Sequence, residues 1–190
     1  MLEGRTPATV RPFSLGANLT ALSKEQGGIR PIAVGCTLHR LVAKVAGNRV
    51  MKEMGVLLAP RQLVFGVKGG AEAAVHAVML YLQDHDSDKA ILKLDFRNAF
   101  NTIHRDWMLN VVLEHAPTLH PFVYSAYSSP SFRFWMDRTI HSAEGVQQGD
   151  PLGPLLFCLS IQHIITQLES KLALFNLDDG TLGGNVDNLK

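Results

Sequence analysis

The sequence predicts an α+β fold in which an antiparallel sheet carries helices packed on one face. Three observations indicate this class. Apolar residues recur at helical spacing in several long segments. Short apolar runs rich in β-branched residues lie between those segments. Two pairs of short strands are each separated by a tight turn, as in antiparallel hairpins. With 190 residues, the chain is long enough for a domain with its own core.

The first third of the chain is predicted to contain one strand and one helix. Residues 2–26 are rich in Pro, Gly, Thr and Ser and are predicted to be loop, with room for one short extended piece. The apolar run 29–34 follows a Gly-Gly turn and is predicted to be a strand. Residues 37–54 have helical apolar spacing. Residues 57–70 are interrupted by Pro and Gly, which favours a loop.

The middle of the chain alternates between helix and strand. Residues 71–83 contain strong helix formers with apolar residues at helical spacing, and a helix is predicted there. Residues 90–95 have an apolar body and are predicted to be a strand that runs into a turn or helix start at 98–102. Residues 104–115 are predicted to be helical, with 121–127 as a helical extension.

The last third is predicted to hold two hairpins around a long helix. Residues 131–135 and 139–143 alternate with a period of two, which indicates paired strands. The apolar segment 152–170 is predicted to be a helix, with a proline in its first turn. Residues 172–177 and 180–184 are predicted to form a second hairpin with an Asp-Asp turn.

Composition limits the classes of function. The net charge is +1, so the strong basic excess of a stand-alone nucleic-acid binder is absent, although acidic catalytic residues can balance a basic groove. Cys36 and Cys158 are far apart, which favours two thiols in a reducing compartment. The eight histidines show no zinc-binding spacing. Without a signal-peptide core or a long apolar span, we expect an intracellular protein, nuclear or cytoplasmic, neither secreted nor membrane-bound.

Three aspartates are candidates for metal chemistry. Asp95 ends the predicted strand 90–95, and Asp178 and Asp179 lie in the turn of the second hairpin. Carboxylates beside apolar strands are costly unless their charge is compensated, and a divalent cation such as Mg²⁺ does so. A helix cap and an ordinary hairpin turn are the alternative explanations for these aspartates.

The segment between these aspartates is a Gly- and Pro-rich loop that opens a helix. Its sequence is GVQQGDPLGP, residues 145–154. Glycines allow a ligand to approach the backbone closely, and a helix start offers N–H groups to an anion. Asp150 is a candidate cap for that helix, and a plain capped helix is the alternative interpretation.

Taken together, these segments resemble the reverse transcriptases of non-LTR (LINE-like) retrotransposons. The resemblance is carried by LKLDFRNAFN (92–101), the loop 145–154 and LDDG (177–180), with GGIRPIA (27–33) and the stretch 58–70 upstream. It implies the fingers and palm of a right-hand polymerase. Residues 1–90 would be a fingers-like segment that includes the first helix entering the palm. Residues 91–190 would be the palm with the catalytic aspartates, ending before a thumb.

The resemblance also implies a role for each matching residue. Asp95, Asp178 and Asp179 would be catalytic and would hold two Mg²⁺ ions, or Mn²⁺ instead, with the carbonyl of Phe96 as a further ligand. Nucleotide-binding residues would include a steric gate at Phe100, which favours DNA synthesis over RNA synthesis. The others would be Lys24, Arg30, Gln148 and Gly149. Without the resemblance, Phe100 would be expected in the core and Arg30 on the surface.

The implied function is RNA-directed DNA polymerisation, with an RNA template, a DNA primer and dNTPs as partners. Asn176 departs from the family pattern, which has an aromatic residue two positions before the Asp-Asp pair. Because the sequence ends at Lys190, we expect weak or no activity of the isolated chain. The alternatives are an inactive, truncated retrotransposon remnant that at most binds nucleic acid, and an RNA-templated RNA polymerase.

Overall fold

A computed structural model describes residues 2–7, 9–23, 25, 27–63, 65–83 and 88–189. The strands of this part are β1 (Ala17–Ser23), β2 (Ile29–Gly35), β3 (Lys89–Asp95), β4 (Ser131–Trp135), β5 (Arg138–Ser142), β6 (Leu172–Asn176) and β7 (Asp179–Asn185). Its α-helices are α1 (Arg11–Ser14), α2 (Thr37–Leu58), α3 (Gly70–Gln83), α4 (Arg105–His115), α5 (His120–Tyr127) and α6 (Gly153–Gln167). Short 3-10 helices occupy Ala99–Asn101 and Val186–Leu189.

The chain divides into two compact units, each built from two stretches of sequence. The first unit comprises Met1–Val50 and Phe100–Ser160, and the second comprises Met51–Ala99 and Ile161–Lys190. Each unit has its own sheet. The assignment of residues 1–90 to fingers and 91–190 to palm stays a prediction.

The first unit contains a four-stranded sheet in the order β2-β1-β4-β5. Strand β1 pairs with β2 in antiparallel fashion along its whole length, and its first two residues pair with β4 in parallel. The sequence predicted mostly loop for residues 2–26, so the seven-residue β1 and the short helix α1 correct that prediction. Five of the seven β1 residues are exposed, and no period-two burial pattern marks the strand.

Helices α4 and α5 supply much of the core of the first unit. Met108 and Val112 on α4, and Phe122 and Val123 on α5, are buried. A proline in the first turn of α5 suits a helix start, where its missing N–H is not needed. This apolar layer lies next to the loop 145–152, whose Val146 and Leu152 are also buried.

The second unit contains a three-stranded antiparallel sheet in the order β3-β7-β6. Its buried cluster consists of Ile165, Phe175 and Leu182, with Leu94 and Ile161 packed against it. Burying such side chains contributes about 1.5–3 kcal/mol each. The cluster therefore fixes the register of the strands that end at the candidate aspartates.

The predicted α+β class and the long elements are confirmed. Helix α2 extends four residues beyond the predicted end, and α6 begins at Gly153, after the proline that was expected in its first turn. The strands are shared between two sheets, and the β1–β4 pair is parallel. None of the helices among the described residues combines the length and apolar character needed to cross a lipid bilayer.

Candidate active site

Two of the three candidate aspartates face each other across neighbouring strands of the second unit. Asp95 is the last residue of β3, and Asp179 is the first residue of β7. They are directly opposite in the antiparallel register. Side chains in such a pair have Cβ atoms about 4.5–5.5 Å apart. Both side chains are accessible to solvent, so both carboxylates can be reached at the same edge of the sheet.

The third aspartate lies in the hairpin loop between β6 and β7. Asn176 pairs with Asp179, which leaves Leu177 and Asp178 as a two-residue loop. Leu177 has a φ of 60°, the left-handed conformation that such loops require. The N–H of Phe96 donates to the carbonyl of Asp178 at 3.4 Å. This contact holds the loop against the end of β3, beside Asp95.

The residues around this hairpin pack closely beneath the loop. A Cβ on Gly180 would lie 2.6 Å from the ring of Phe175 and 3.2 Å from Leu94. Phe175 is 2% exposed. The aromatic residue that precedes the Asp-Asp pair by three positions is therefore a core residue, while Asn176 is exposed.

The three carboxylates have no hydrogen bond or ion pair with any described residue of the chain. Like charges directly opposite on paired strands are destabilising. Within the described residues, no three His, Cys, Asp or Glu side chains are grouped closely enough to hold a metal ion. The donor chemistry nonetheless fits a hard divalent cation, because Asp95 and Asp179 present facing oxygen ligands and water and phosphate can complete its shell.

A pocket of about 480 Å³ in the first unit contains the predicted nucleotide-binding residues. Arg30, Phe100, Gln148 and Gly149 line it. Lys24, the fifth predicted residue, lies outside the described residues. The structure thus brings four of the predicted nucleotide-binding residues together, and it places the aspartates in the other unit.

Sequence reasoning missed two further cations that line this pocket, Arg40 and Lys44 on α2. Their spacing of four residues puts both on one face of the helix, and that signal was available in the sequence. With Arg30 they make three exposed cations around one pocket. Such a cluster favours an anionic ligand.

The loop 145–150 is tied to the rest of this pocket by backbone hydrogen bonds. The N–H of Ala33 on β2 donates to the carbonyl of Gln148 at 2.7 Å, and the N–H of Val146 donates to the carbonyl of Phe100 at 2.7 Å. Gly149 has a φ of 121°, and a Cβ there would lie 2.5 Å from the carbonyl oxygen of Ala33. The strand of Arg30, the Gln148 loop and Phe100 are therefore fixed relative to one another.

The side chains of Phe100 and Gln148 differ in how they are held. The half-buried ring of Phe100 stacks on Phe157, with ring centroids 4.6 Å apart. The Oε1 atom of Gln148 is buried and has no hydrogen-bond partner in the described structure. An unpaired buried acceptor is unfavourable, and a donor group from a ligand would satisfy it.

Behind the loop lies a buried polar cluster of His39, Tyr127 and Asp150. The hydroxyl of Tyr127 donates to Asp150 Oδ2 at 2.6 Å, and His39 Nε2 lies 3.4 Å from the same oxygen. Burial and the adjacent Asp150 raise the pKa of Tyr127 well above its usual value. Burial opposes ionisation of Asp150, but hydrogen bonds from His39, Tyr127 and the Leu152 N–H outweigh it and lower its pKa. Asp150 is therefore a carboxylate at neutral pH.

Two buried arginines flank this cluster. Arg105 donates to the carbonyls of Ser142, Glu144 and Gly145, and its guanidinium lies 5.3 Å from the ring centroid of Tyr127. Burial lowers the pKa of Arg133 to about 10, so that this side chain is still a cation at neutral pH. Sequence reasoning missed Arg105 because its partners lie 37–40 positions further along the chain. It also missed Arg133, whose partners Ser131, Phe132 and Ser142 are close in sequence, because nothing in the local pattern marks its burial.

The fold resembles solved polymerase structures. Telomerase from Candida albicans, in complex with a fragment of telomeric RNA, matches with a TM-score of 0.69 and 12% identity, over 97% of this chain and 39% of that one. Apo telomerase from Candida Tropicalis matches with a TM-score of 0.63 and 12% identity, over 97% of this chain and 41% of that one. At such low identity, these likenesses show the fold alone, that of a right-hand polymerase.

Sequence comparison identifies the family. The family model described as reverse transcriptase (RNA-dependent DNA polymerase) matches residues 22–187. The chain belongs to the reverse transcriptase family.

Two curated relatives come from retrotransposons. The retrotransposable element SLACS 132 kDa protein of Trypanosoma brucei gambiense is 30% identical over 184 residues, which is 91% of this chain. The Pol polyprotein from the type-2 retrotransposable element R2DM of Drosophila melanogaster is 26% identical over 162 residues, or 80% of this chain. The chain spans 15% of the length of each relative.

Proposed function

We propose that this chain is the nucleotide-adding part of an RNA-directed DNA polymerase that uses a two-metal mechanism. The observation that carries the proposal is the facing pair Asp95 and Asp179, with Asp178 in the adjoining loop, in a chain of the reverse transcriptase family. The reaction is attack of a primer 3′-hydroxyl on the α-phosphate of a dNTP, with pyrophosphate as the leaving group.

The metal-binding part of the proposal assigns Asp95, Asp178 and Asp179 as the carboxylate ligands, with the carbonyl of Phe96 as a further oxygen. When bound, two Mg²⁺ ions would activate the attacking hydroxyl and stabilise the leaving oxygen. The solvent-accessible carboxylates supply hard ligands at one sheet edge. Their unrelieved like charge favours cation binding at this edge.

The nucleotide-binding part assigns the pocket of the first unit to the incoming dNTP. Arg30 would pair with the triphosphate, since guanidinium and phosphate form strong charge-assisted hydrogen bonds. Gln148 and Gly149 would face the base and sugar. The ring of Phe100, held by Phe157, would crowd a 2′-hydroxyl. Lys24 remains a second candidate for the triphosphate.

The template is proposed to be RNA. The curated relatives are retrotransposon proteins, and one structural neighbour was solved with a telomeric RNA fragment. The three cations Arg30, Arg40 and Lys44 around one pocket support a polyanionic partner. The alternative is a chain that binds nucleic acid without catalysis. Such a chain would not need the carboxylates Asp95, Asp178 and Asp179 at one sheet edge.

Asp178→Asn tests the metal assignment. In wild type, we expect weak Mg²⁺-dependent extension of oligo(dT) on poly(rA) and line broadening by Mn²⁺ of NMR signals at the β6–β7 hairpin. In Asp178→Asn, both should fall by about a hundredfold or more, because a ligand worth several kcal/mol is removed.

A matched control for this variant exists in the first unit. Asp137 is the second residue of the β4–β5 hairpin loop, after Met136 with a φ of 51°, just as Asp178 follows Leu177 with a φ of 60°. Asp137→Asn should leave both signals unchanged. Tight binding of poly(rA)/oligo(dT) by a wild-type chain that neither broadens with Mn²⁺ nor extends the primer would instead establish the non-catalytic alternative.

Phe100→Ala tests the sugar discrimination. Removal of the ring should raise rNTP incorporation relative to dNTP incorporation by about tenfold or more, since a steric contact of this size is worth about 1–3 kcal/mol. Phe100→Tyr keeps the ring and should retain discrimination. Phe132→Ala, a half-buried aromatic in the same unit, controls for loss of packing. Unchanged discrimination in Phe100→Ala would show that Phe100 is a core residue only.

A further inference from the structure

We propose that Tyr127, Asp150 and His39 are positioning residues that hold the backbone of the Gln147–Gly149 loop in one conformation. The inference rests on the proposed function, in which this loop faces the incoming nucleotide. The three side chains lie behind the loop in the first unit, and none of them is assigned a role in metal binding. They are 2%, 6% and 3% exposed, respectively.

Asp150 is the centre of this cluster because both of its oxygens are used. Oδ1 accepts the N–H of Leu152 at 2.9 Å, which closes the turn that leads into α6. Oδ2 accepts the Tyr127 hydroxyl at 2.6 Å and lies 3.4 Å from His39 Nε2. A carboxylate can only accept, so the Nε2–H of His39 is the donor.

Tyr127 connects this carboxylate to the loop itself. Its hydroxyl oxygen accepts the N–H of Gln147 at 3.4 Å while its proton is given to Asp150. The side chain of Gln147 in turn donates to the carbonyl of Leu15 at 3.2 Å. The backbone just before Gln148 is thereby fixed by groups from α5 and from the segment that leads into β1.

The cost of burying this carboxylate argues against a simple helix cap. A cap needs one hydrogen bond at an exposed helix start, whereas Asp150 is buried and takes three donors. Burying a charge is unfavourable unless it is paired and hydrogen-bonded. His39 is itself held by stacking on Phe122, with ring centroids 5.3 Å apart.

The two ends of the loop are anchored by different means. Arg105 holds residues 142–145 through three backbone carbonyls, and the Tyr127–Asp150 pair holds residues 147–152. Between them, the Gln148 carbonyl accepts the Ala33 N–H. The buried cluster thus acts on the nucleotide through the conformation of Gln148 and Gly149.

Tyr127→Phe is the sharpest test, because it removes one hydroxyl and keeps the ring that packs against Arg105. Amide hydrogen exchange and the affinity for Mg²⁺–dTTP are measured on the full 190-residue chain. Exchange of the Gln147, Gln148 and Leu152 amides should accelerate about tenfold or more, the factor expected for loss of a buried hydrogen bond to a carboxylate. The affinity for Mg²⁺–dTTP should fall by a similar factor.

The controls separate positioning from general stability. Tyr124 lies on the same helix and is 52% exposed. Tyr124→Phe should therefore change neither the amide exchange rates of the loop nor the affinity for Mg²⁺–dTTP. Asp150→Asn keeps an acceptor for the Leu152 N–H. The Leu152 amide should therefore be better protected from hydrogen exchange in Asp150→Asn than in Asp150→Ala. The β1 and β2 amides should be equally protected from hydrogen exchange in wild type and in Tyr127→Phe, because the effect is confined to the loop.

Two results would overturn the inference. One is unchanged loop exchange in Tyr127→Phe, and the other is an equal loss of protection throughout the first unit. A wild-type chain that binds no Mg²⁺–dTTP, with loop exchange still accelerated in Tyr127→Phe, would overturn the proposed function and leave the positioning of the loop supported.

Discussion

Replacing Gly149 with alanine is expected to lower the free energy of unfolding by about 2–5 kcal/mol and to abolish nucleotide binding by the pocket of the first unit. Two independent effects add. The φ of 121° at Gly149 is a conformation that residues with a Cβ rarely adopt. The new Cβ would also lie 2.5 Å from the carbonyl oxygen of Ala33.

The second effect damages the pocket as well as stability. Relief of this contact requires β2 and the loop to move apart, which breaks the 2.7 Å hydrogen bond between the Ala33 N–H and the Gln148 carbonyl. Arg30 lies on β2. The same movement would therefore separate Arg30 from Gln148, and both are proposed to contact the dNTP.

Variants of two other glycines separate the cost of the positive φ at Gly149 from the cost of the contact with the Ala33 carbonyl oxygen. Gly28 has a φ of 93° and a Cβ at this position would meet nothing within 4 Å, so Gly28→Ala should show the backbone cost alone. Gly153 is at the start of α6, where the nearest atom to a Cβ would be 3.4 Å away, and Gly153→Ala should be nearly neutral. Urea unfolding and Mg²⁺–dTTP titration measure both quantities. Equal losses in Gly149→Ala and Gly28→Ala would disprove the role of the Ala33 contact.

The long elements were predictable because their local patterns agree with their final environment. Strand β3 and the β6–β7 hairpin were predicted within two residues of their observed ends, since apolar runs and turn residues mark them. The same patterns put Asp95 at a strand end and Asp178 in a hairpin loop. What the sequence lacks is the register, which sets Asp95 opposite Asp179 and not opposite Asp178.

Strand β1 and the buried cluster behind the loop were not predictable by the same means. Strand β1 is mostly exposed, and it is defined by pairing with β2 and with residues 133–134 far along the chain. The hydrogen bond between His39 and Asp150 joins residues 111 positions apart. Local patterns describe the faces of single elements, and such contacts depend on how distant elements meet.

Asp95→Asn is expected to have opposite effects on stability and on activity. Without divalent cations, the variant should be more stable than wild type by about 0.2–1 kcal/mol, because it removes one of two like charges directly opposite on β3 and β7. The weak primer extension expected of wild type should be lost, since Asp95 is proposed to be a carboxylate ligand of the metal. Functional sites often hold such unfavourable arrangements at the expense of stability.

Mg²⁺ should reverse the order of stability. A ligand that binds only the folded state stabilises it by RT ln(1 + [L]/Kd), so wild type should gain stability with added Mg²⁺ and Asp95→Asn, which binds Mg²⁺ more weakly, should gain much less. Asp137→Asn, in the exposed hairpin loop of the other unit, should follow wild type in both conditions. An Asp95→Asn chain that is less stable than wild type without metal, or equally stabilised by Mg²⁺, would mean that the Asp95 carboxylate has a structural partner and does not hold a cation.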